Sequence, residues 1–273
     1  MNIEMGDLSW PEVEDVLKET NALIFPVGST EQHGPHLPVN VDTVTTRYIA
    51  IEVARKVINE FNVRVLVAPT IPYGEVGESR KFPGTVGLEV ETMTKVVEDL
   101  VYGFVSHGFK NILVLNGHNE NTEPIAIALR KVHHHFPDAG LFAANTWRLG
   151  FDVWPKISKG GRAGSGHACE KETAMSLFIQ PDNVHLEKAV KGSKTGAIPQ
   201  KYLVVPSPGA PRVFFHSRAS GKKVSGITAD PSFATPENGQ KFVKAIIDDV
   251  AEIVMAIIKS EGNVMEKTPE HYA

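Results

Sequence analysis

Two short segments of this chain pair an imidazole with a carboxylate two residues away. Glu31 and His33 lie in a loop rich in glycine and proline that also leads to Asp42, and His118 and Glu120 form the second pair. In extended backbone, residues i and i+2 point to the same side, so each pair can present both groups to one point. Histidine nitrogens mixed with carboxylate oxygens suit Zn²⁺, Mn²⁺ or Fe²⁺ better than Ca²⁺.

Five such ligands exceed what one tetrahedral zinc site needs, and they suit two metal ions if one carboxylate bridges them. Two ions acidify a bridging water and polarise a substrate carbonyl, so the set predicts a hydrolase without an organic cofactor. The alternative for each residue alone is a loop hydrogen bond or a helix cap. Asp42 comes just before a predicted helix and could serve only as its N-cap.

The elements that must position these groups follow from the apolar pattern. Four apolar runs predict buried parallel strands, and they are Ala22–Val27, Val63–Ala68, Asn111–Leu115 and Gly140–Ala144. Helical patterns lie between and after them, over residues 43–59, 93–105 and 120–135. A final helix is predicted to begin at Pro236, with Thr235 as its N-cap.

Alternation of strands and helices predicts an α/β fold with a mostly parallel central sheet. Ligands of such sheets bind beyond the carboxyl ends of the strands, and both histidine–carboxylate pairs follow predicted strands. Because no linker or internal repeat interrupts the pattern, we expect a single domain over residues 1–273.

The composition excludes several classes of function. The chain has 273 residues, of which 42% are hydrophobic and 22% charged, with a formal net charge of −4. These values are ordinary for a soluble globular protein and give no basic footprint for nucleic acid. No apolar stretch has the length of a membrane span, and the N-terminus lacks signal-peptide features. The single cysteine, Cys169, excludes an internal disulfide, so we expect a cytoplasmic protein with no nucleic-acid or membrane partner.

One long motif goes beyond these general signals. Gly28–Pro38 reads GSTEQHGPHLP and is followed by Asp42-Thr43, which closely resembles the signature of the creatininase (creatinine amidohydrolase) family. Further segments agree with this family in order along the chain. They are Pro72–Gly74, Phe82–Thr85, Asn116–His118 with Glu120-Asn121, His167-Ala168 with Glu172-Thr173, and Gly226–Pro231.

The resemblance implies a set of roles. Glu31 and His118 would bind one divalent metal, His33 and Glu120 the other, and Asp42 would bridge them. Zinc is the first expectation, with manganese or iron as alternatives. A metal-bridging hydroxide would attack an amide-like carbonyl of a small molecule while His167 donates a proton to the leaving nitrogen. The resemblance also implies a three-layer α/β/α sandwich that assembles as a homohexamer.

Departures from the family pattern bear on the substrate. Creatinine-hydrolysing members carry a serine where this chain has Val76 and a tyrosine where it has Asn119. They also have a tryptophan and acidic residues where it reads Ala163–Gly166. We therefore expect a small cyclic amide or formamide other than creatinine, with Val76, Asn119 and Glu172 as predicted substrate contacts. Glu172 has two alternative roles, orienting His167 or lying on the surface.

The family also includes a deformylase of a formamidopyrimidine nucleotide and a maturation peptidase for a peptide-derived redox cofactor, and both stay open as alternatives. Arg80, Lys81, Arg148 and Arg162 could meet an anionic substrate or be solvated surface charges. An alternative hypothesis, of a different functional class, is a peptide-processing or accessory protein whose metal site serves structure or partner binding. The roles of His36, Cys169 and residues 192–232 stay open.

Overall fold

The computed structural model describes residues 2–160, 166–192 and 225–261. Its centre is a parallel four-stranded sheet in the order β2-β1-β3-β4. The strands are β1 (Ala22–Val27), β2 (Leu66–Val67), β3 (Asn111–Asn116) and β4 (Gly140–Asn145). The predicted parallel sheet is therefore confirmed, and β1 has the predicted bounds.

Two strands differ from their predicted form. β2 is shorter because Leu66 pairs with Leu23, so residues 63 and 64 extend beyond the start of β1. β4 was predicted to be buried, but its residues are half-buried or exposed. It is an outer strand of the sheet and, within the described residues, pairs with β3 alone, which explains its exposure. An apolar run alone does not distinguish an edge strand from a central one.

Helices flank the sheet on both faces. They are α1 (Trp10–Leu17), α2 (Val41–Phe61), α3 (Val90–Ser106), α4 (Thr122–His135), α5 (Trp154–Ile157), α6 (Glu170–Ile179) and α7 (Pro236–Lys259). The predicted start of the last helix is confirmed, since the Thr235 hydroxyl accepts a hydrogen bond from the Asn238 backbone N–H at 3.2 Å. This bond satisfies one of the amide groups that a helix N-terminus leaves free.

Alternate residues of the strands enter two separate cores. Leu23 and Phe25 pack with α1, α3 and α4 on one face, whereas Ile24 packs with α2, α6 and α7 on the other. The result is a three-layer α/β/α sandwich, as predicted. Among the residues that the structure describes, no helix combines the length and the apolar composition that crossing a membrane requires.

Candidate active site

The candidate site lies where β1 and β3 end. Glu31 and His33 follow β1, His118 follows β3, and Asp42 lies in the first turn of α2. α2 reaches this position because Gly117 has no side chain: a Cβ there would lie 1.9 Å from Thr46 Oγ1 and 2.9 Å from the Asp42 carbonyl oxygen. The first turn of α2 is thus held directly against the end of β3.

Asp42 is the centre of the site. Its Oδ2 lies 2.9 Å from His118 Nδ1, and its Oδ1 lies 3.3 Å from His33 Nε2. Glu31 Oε2 is 3.3 Å from the same His118 nitrogen. Glu31, Asp42 and His118 are all buried, and together they can offer ligand atoms within 4.8 Å of one another. We call these three residues the inner group.

A second set of ligand atoms lies beside the inner group. His33, His167 and Glu172 offer atoms within 4.8 Å of one another, and we call them the outer group. Glu172 Oε2 is 3.9 Å from His33 Nε2, and the rings of His33 and His167 have centroids 4.4 Å apart. His33 Nε2 therefore faces Glu172 as well as Asp42, which joins the two groups.

Backbone carbonyls fix the ring orientation of both central histidines. His33 Nδ1 is 3.0 Å from the Glu31 carbonyl oxygen, and His118 Nε2 is 2.7 Å from the Glu75 carbonyl oxygen. Because a carbonyl only accepts, each of these nitrogens carries the hydrogen. The other nitrogen of each ring faces Asp42. Metal-binding histidines are held in this way, with one nitrogen tied to an acceptor and the other free for the ion.

The charges of the site call for a cation. Burial lowers the pKa of His33, but the carboxylates of Asp42, Glu172 and Glu31 outweigh it and raise that pKa to about 10. Burial also lowers the pKa of His118, and Asp42, Glu31 and Glu120 raise it to about 9. Burial raises the pKa of Asp42, yet the two histidines hold it below its ordinary value. Protons thus compensate the buried carboxylates, and metal ions displace protons from such ligands. The donor set fits divalent metal ions.

Glu120 contacts His118 but belongs to neither group. Its Oε2 is 3.2 Å from His118 Nε2, the nitrogen that faces away from Asp42, and its side chain is 42% exposed. The i, i+2 argument assumed extended backbone, but residues Asn119–Asn121 form a 3-10 turn. That turn sends Glu120 to the other side of the His118 ring.

The predicted substrate contacts lie in three different environments. Val76 is buried, with its methyl groups against the backbone of Gly87. Asn119 is exposed, and Glu172 belongs to the outer group. Arg80 pairs with Glu89, which leaves it less available to an anionic substrate. Residues 161–165, which include Arg162 and most of the departure before His167, lie outside the described residues.

His167 is held by two residues that the sequence analysis did not single out. Its Nε2 lies 2.6 Å from the carbonyl oxygen of Gln32 and 2.9 Å from the Gln32 amide nitrogen. Its backbone N–H donates to Thr228 Oγ1 at 2.7 Å, and the Thr228 N–H donates to its carbonyl at 3.1 Å. Both residues belong to segments of the family signature, which was the only sequence signal for them.

Two residues that the sequence left open, His36 and Cys169, have structural roles, as does Trp154. His36 is buried, and its Nε2 is 2.9 Å from Thr173 Oγ1. Burial lowers the His36 pKa to about 4, which keeps this ring neutral. Burial raises the pKa of the Cys169 thiol to about 11, so it is no activated nucleophile. Trp154 packs against Phe242 in the core, with ring centroids 5.1 Å apart.

Comparison with known proteins gives this site a family. Residues 6–254 match the family model described as "Creatininase: Creatinine amidohydrolase". The chain belongs to the creatininase family. It is therefore related to hydrolases along nearly its whole length, and the resemblance predicted from the sequence is confirmed.

Two curated relatives in this family are named for different activities. The chain is 31% identical over 235 residues to a mycofactocin precursor peptide peptidase of Mycolicibacterium smegmatis, covering 84% of this chain and 83% of that protein. It is 30% identical over 204 residues to a creatinine amidohydrolase of Pseudomonas putida, covering 69% and 76%. The family thus leaves both peptide and non-peptide substrates open.

A solved structure supports the fold. The structure titled "Creatininase Mn" matches with a TM-score of 0.79 and 23% identity, covering 94% of this chain and 99% of that one. Its title names manganese for that protein. The creatininase fold predicted for this chain is confirmed.

Proposed function

We propose that this protein is a dinuclear metal amidohydrolase that cleaves a C–N bond of a small cyclic amide or formamide. The observation that carries the proposal is the position of Asp42, which turns one carboxylate oxygen toward His118 and the other toward His33. A carboxylate that joins two sets of nitrogen and oxygen donors is the ligand that two neighbouring ions share.

The distances favour a particular division of ligands. Glu31, His118 and Asp42 would hold one ion, and His33, Glu172 and Asp42 the other. The sequence-based assignment of Glu120 to the second ion stays a prediction, and its position on the far side of the His118 ring favours Glu172 instead. When bound, such ions polarise a carbonyl and lower the pKa of water.

The protein's own groups supply orientation and a proton. His167 is 25% exposed, so a substrate can reach it, and its Nε2 lies 3.9 Å from Glu31 Oε1. At this position it can donate a proton to the nitrogen that leaves when the amide bond breaks. Glu172 accepts a hydrogen bond from the Ala168 backbone N–H at 2.6 Å, which fixes the turn that carries His167.

We do not propose creatinine as the preferred substrate. A site that binds one small molecule through hydrogen bonds discriminates by those polar groups, and a buried valine at position 76 offers none. Peptide processing is the second candidate, because the Mycolicibacterium smegmatis relative is a precursor peptide peptidase and matches over 84% of this chain. The homohexamer and the cytoplasmic location stay predictions.

The test begins with metal content per chain on freshly purified protein. We expect about two equivalents of zinc, manganese or iron. The same sample is then assayed against creatinine, formamides, small lactams and short peptides. Turnover of a lactam or formamide supports the proposal, and turnover of peptides alone supports the second candidate. A protein that neither contains metal nor takes it up on reconstitution would contradict both.

A further inference from the structure

Gln32 lies between the two metal-binding residues of the first signature, yet its side chain points toward His167. Its amide nitrogen is 2.9 Å from His167 Nε2 and 3.0 Å from the carbonyl oxygen of Gly226. Its amide oxygen accepts a hydrogen bond from the Gly34 backbone N–H at 2.9 Å. The residue is buried, and the sequence analysis gave it no role.

The orientation of this amide follows from its backbone partners. A carbonyl only accepts and a backbone N–H only donates, so the NH₂ group must face Gly226 and the oxygen must face Gly34. The opposite orientation would place two acceptors together at Gly226 and two donors together at Gly34. The second amide hydrogen of Gln32 is then directed at His167 Nε2.

The same ring nitrogen also meets the main chain of Gln32, whose carbonyl oxygen is 2.6 Å away. One residue therefore presents a donor and an acceptor to one nitrogen of His167. Because a ring nitrogen carries either a hydrogen or a lone pair, it donates to the Gln32 carbonyl in one tautomer and accepts from the Gln32 amide in the other. The buried residue thus offers His167 a partner in either tautomer, which limits how far the imidazole can turn.

The backbone at Gly226 makes room for this arrangement. Gly226 has a φ of 71°, a conformation that favours glycine, and a Cβ there would lie 1.9 Å from Gln32 Oε1. Two residues later, Thr228 holds the His167 backbone through two hydrogen bonds. Gln32 thus binds the ring of His167 and also the segment that binds its main chain.

We propose that Gln32 is the positioning residue for His167. It fixes the imidazole beside the metal-binding groups and docks the 226–228 segment against the signature loop. The inference rests on the proposed function in one respect, namely that His167 is the proton donor.

The first experiment compares Gln32→Met with wild type. Methionine has a similar length and stays neutral, but it makes none of the three side-chain hydrogen bonds. We expect kcat on the best substrate of the panel to fall about 10- to 100-fold, as for other residues that orient catalytic groups, with KM and metal content little changed. Gln180→Met is the matched control, because Gln180 is a partly buried glutamine whose side chain, within the described residues, accepts a hydrogen bond from the Asn183 side chain and from no other group.

The second experiment needs no substrate. Long-range ¹H–¹⁵N spectra of protein labelled at histidine report each imidazole, and the His167 signals are those absent from His167→Ala. Gln32→Met should shift the His167 signals and leave those of the surface residue His185 unchanged, while Gln180→Met shifts neither. Gln32→Glu is the second variant, since it keeps the acceptor for Gly34 and loses both donated bonds.

The outcomes separate this inference from the proposed function. If wild-type protein hydrolyses nothing in the panel, the proposed function fails while the spectra still decide the position of His167. Unchanged His167 signals in both folded Gln32 variants would overturn the inference, whatever the activity. If the Gln32 variants lose both kcat and their bound metal, the inference is overturned as well, because Gln32 would then act on the metal ligands.

Discussion

The inner and outer groups differ in how the fold builds them. Glu31, Asp42 and His118 are buried and come from the ends of β1 and β3 and the first turn of α2. In the outer group, the side chains of His167 and Glu172 are 25% and 20% exposed. They come from α6 and the turn before it, outside the sheet. The inner group is therefore fixed by strand register, whereas the outer group depends on how α6 and the 226–228 segment pack.

This difference has a consequence for metal binding and for catalysis. A preformed, buried donor set holds an ion tightly, whereas a partly exposed one exchanges ions and admits substrate. We expect the ion of the inner group to be retained longer during dialysis against a chelator. In the proposed function, the outer group is where substrate would enter and the proton would be transferred.

The largest effect is expected at Asp42, because this residue contacts both the inner and the outer group. Asp42→Ala should remove both ions and lower turnover by roughly 10³-fold or more, because several kcal/mol of charge stabilisation are lost. Metal content and kcat are measured on the same preparation. Asp248→Asn is the control, since the ion pairs of Asp248 within the described residues are with Lys56 and Lys244. Two retained equivalents in Asp42→Ala would show that the groups do not share this ligand.

A variant of the outer group separates proton transfer from metal binding. His167→Ala should lower kcat by about 10²- to 10⁴-fold, the usual contribution of a general acid, while metal content stays at the wild-type value. The measurement is steady-state kinetics beside metal analysis. Turnover equal to wild type would remove His167 from the reaction, and loss of one ion would make it a ligand.

Two glutamates test which carboxylate completes the outer group. Glu172→Gln should lose about one equivalent of metal, and Glu120→Gln should keep both, because Glu120 faces the nitrogen of His118 that points away from Asp42. Metal content after gel filtration decides between them. Loss of metal from Glu120→Gln alone would restore the sequence-based assignment.

The smallest expected effect is on stability, in the metal-free protein. The pKa values of His33 and His118, about 10 and about 9, exceed the ordinary value of 6.5. A group whose pKa is raised by folding stabilises the fold fully below its unfolded pKa and loses that contribution as pH rises through the folded one. The Tm of chelator-treated protein should therefore fall as the pH rises from about 6.5 to about 10.

Asp42 contributes to stability over a different pH range. Its pKa is depressed, so its contribution is present above the ordinary value of 3.8 and is lost only as the pH falls through its folded pKa. Metal-loaded protein is the control for the alkaline effect, since ions take the place of the protons on both rings. A Tm of the metal-free protein that is constant or rises over this range would contradict the electrostatics described for the site.

The sequence predicts a strand or a site residue of this protein well where the signal comes from neighbouring residues, and poorly where it depends on distant ones. The apolar runs located β1 and β3 and their polar ends, so Glu31 and His118 could be anticipated from strand ends, and Asp42 from the loop that leads from β1 to α2. Glu172 could not be assigned to metal, because it lies on a helix remote in sequence and no spacing relates it to His33. Only the packing of α6 beside the signature loop brings the two together.

Glu120 and Val76 show what a local signal leaves undetermined, and their predicted roles stay predictions. Glu120 has the right spacing from His118, but a 3-10 turn replaces the extended backbone that the spacing argument assumes. Val76 was predicted to contact substrate because relatives differ there, yet its side chain is buried against Gly87. A motif position carries a residue's identity but not its direction, which depends on the local backbone.

The contact between Asp42 and His118 joins residues 76 positions apart in the chain, across two neighbouring parallel strands. Such a contact forms only after β1 and β3 have paired, and pairing of distant strands is the slow part of folding. We therefore expect the inner group to offer its donors to a metal ion only once this step is complete. The stabilisation by bound metal should appear almost wholly in the unfolding rate, so a chelator would shorten the lifetime of the native state and leave the speed of folding unchanged.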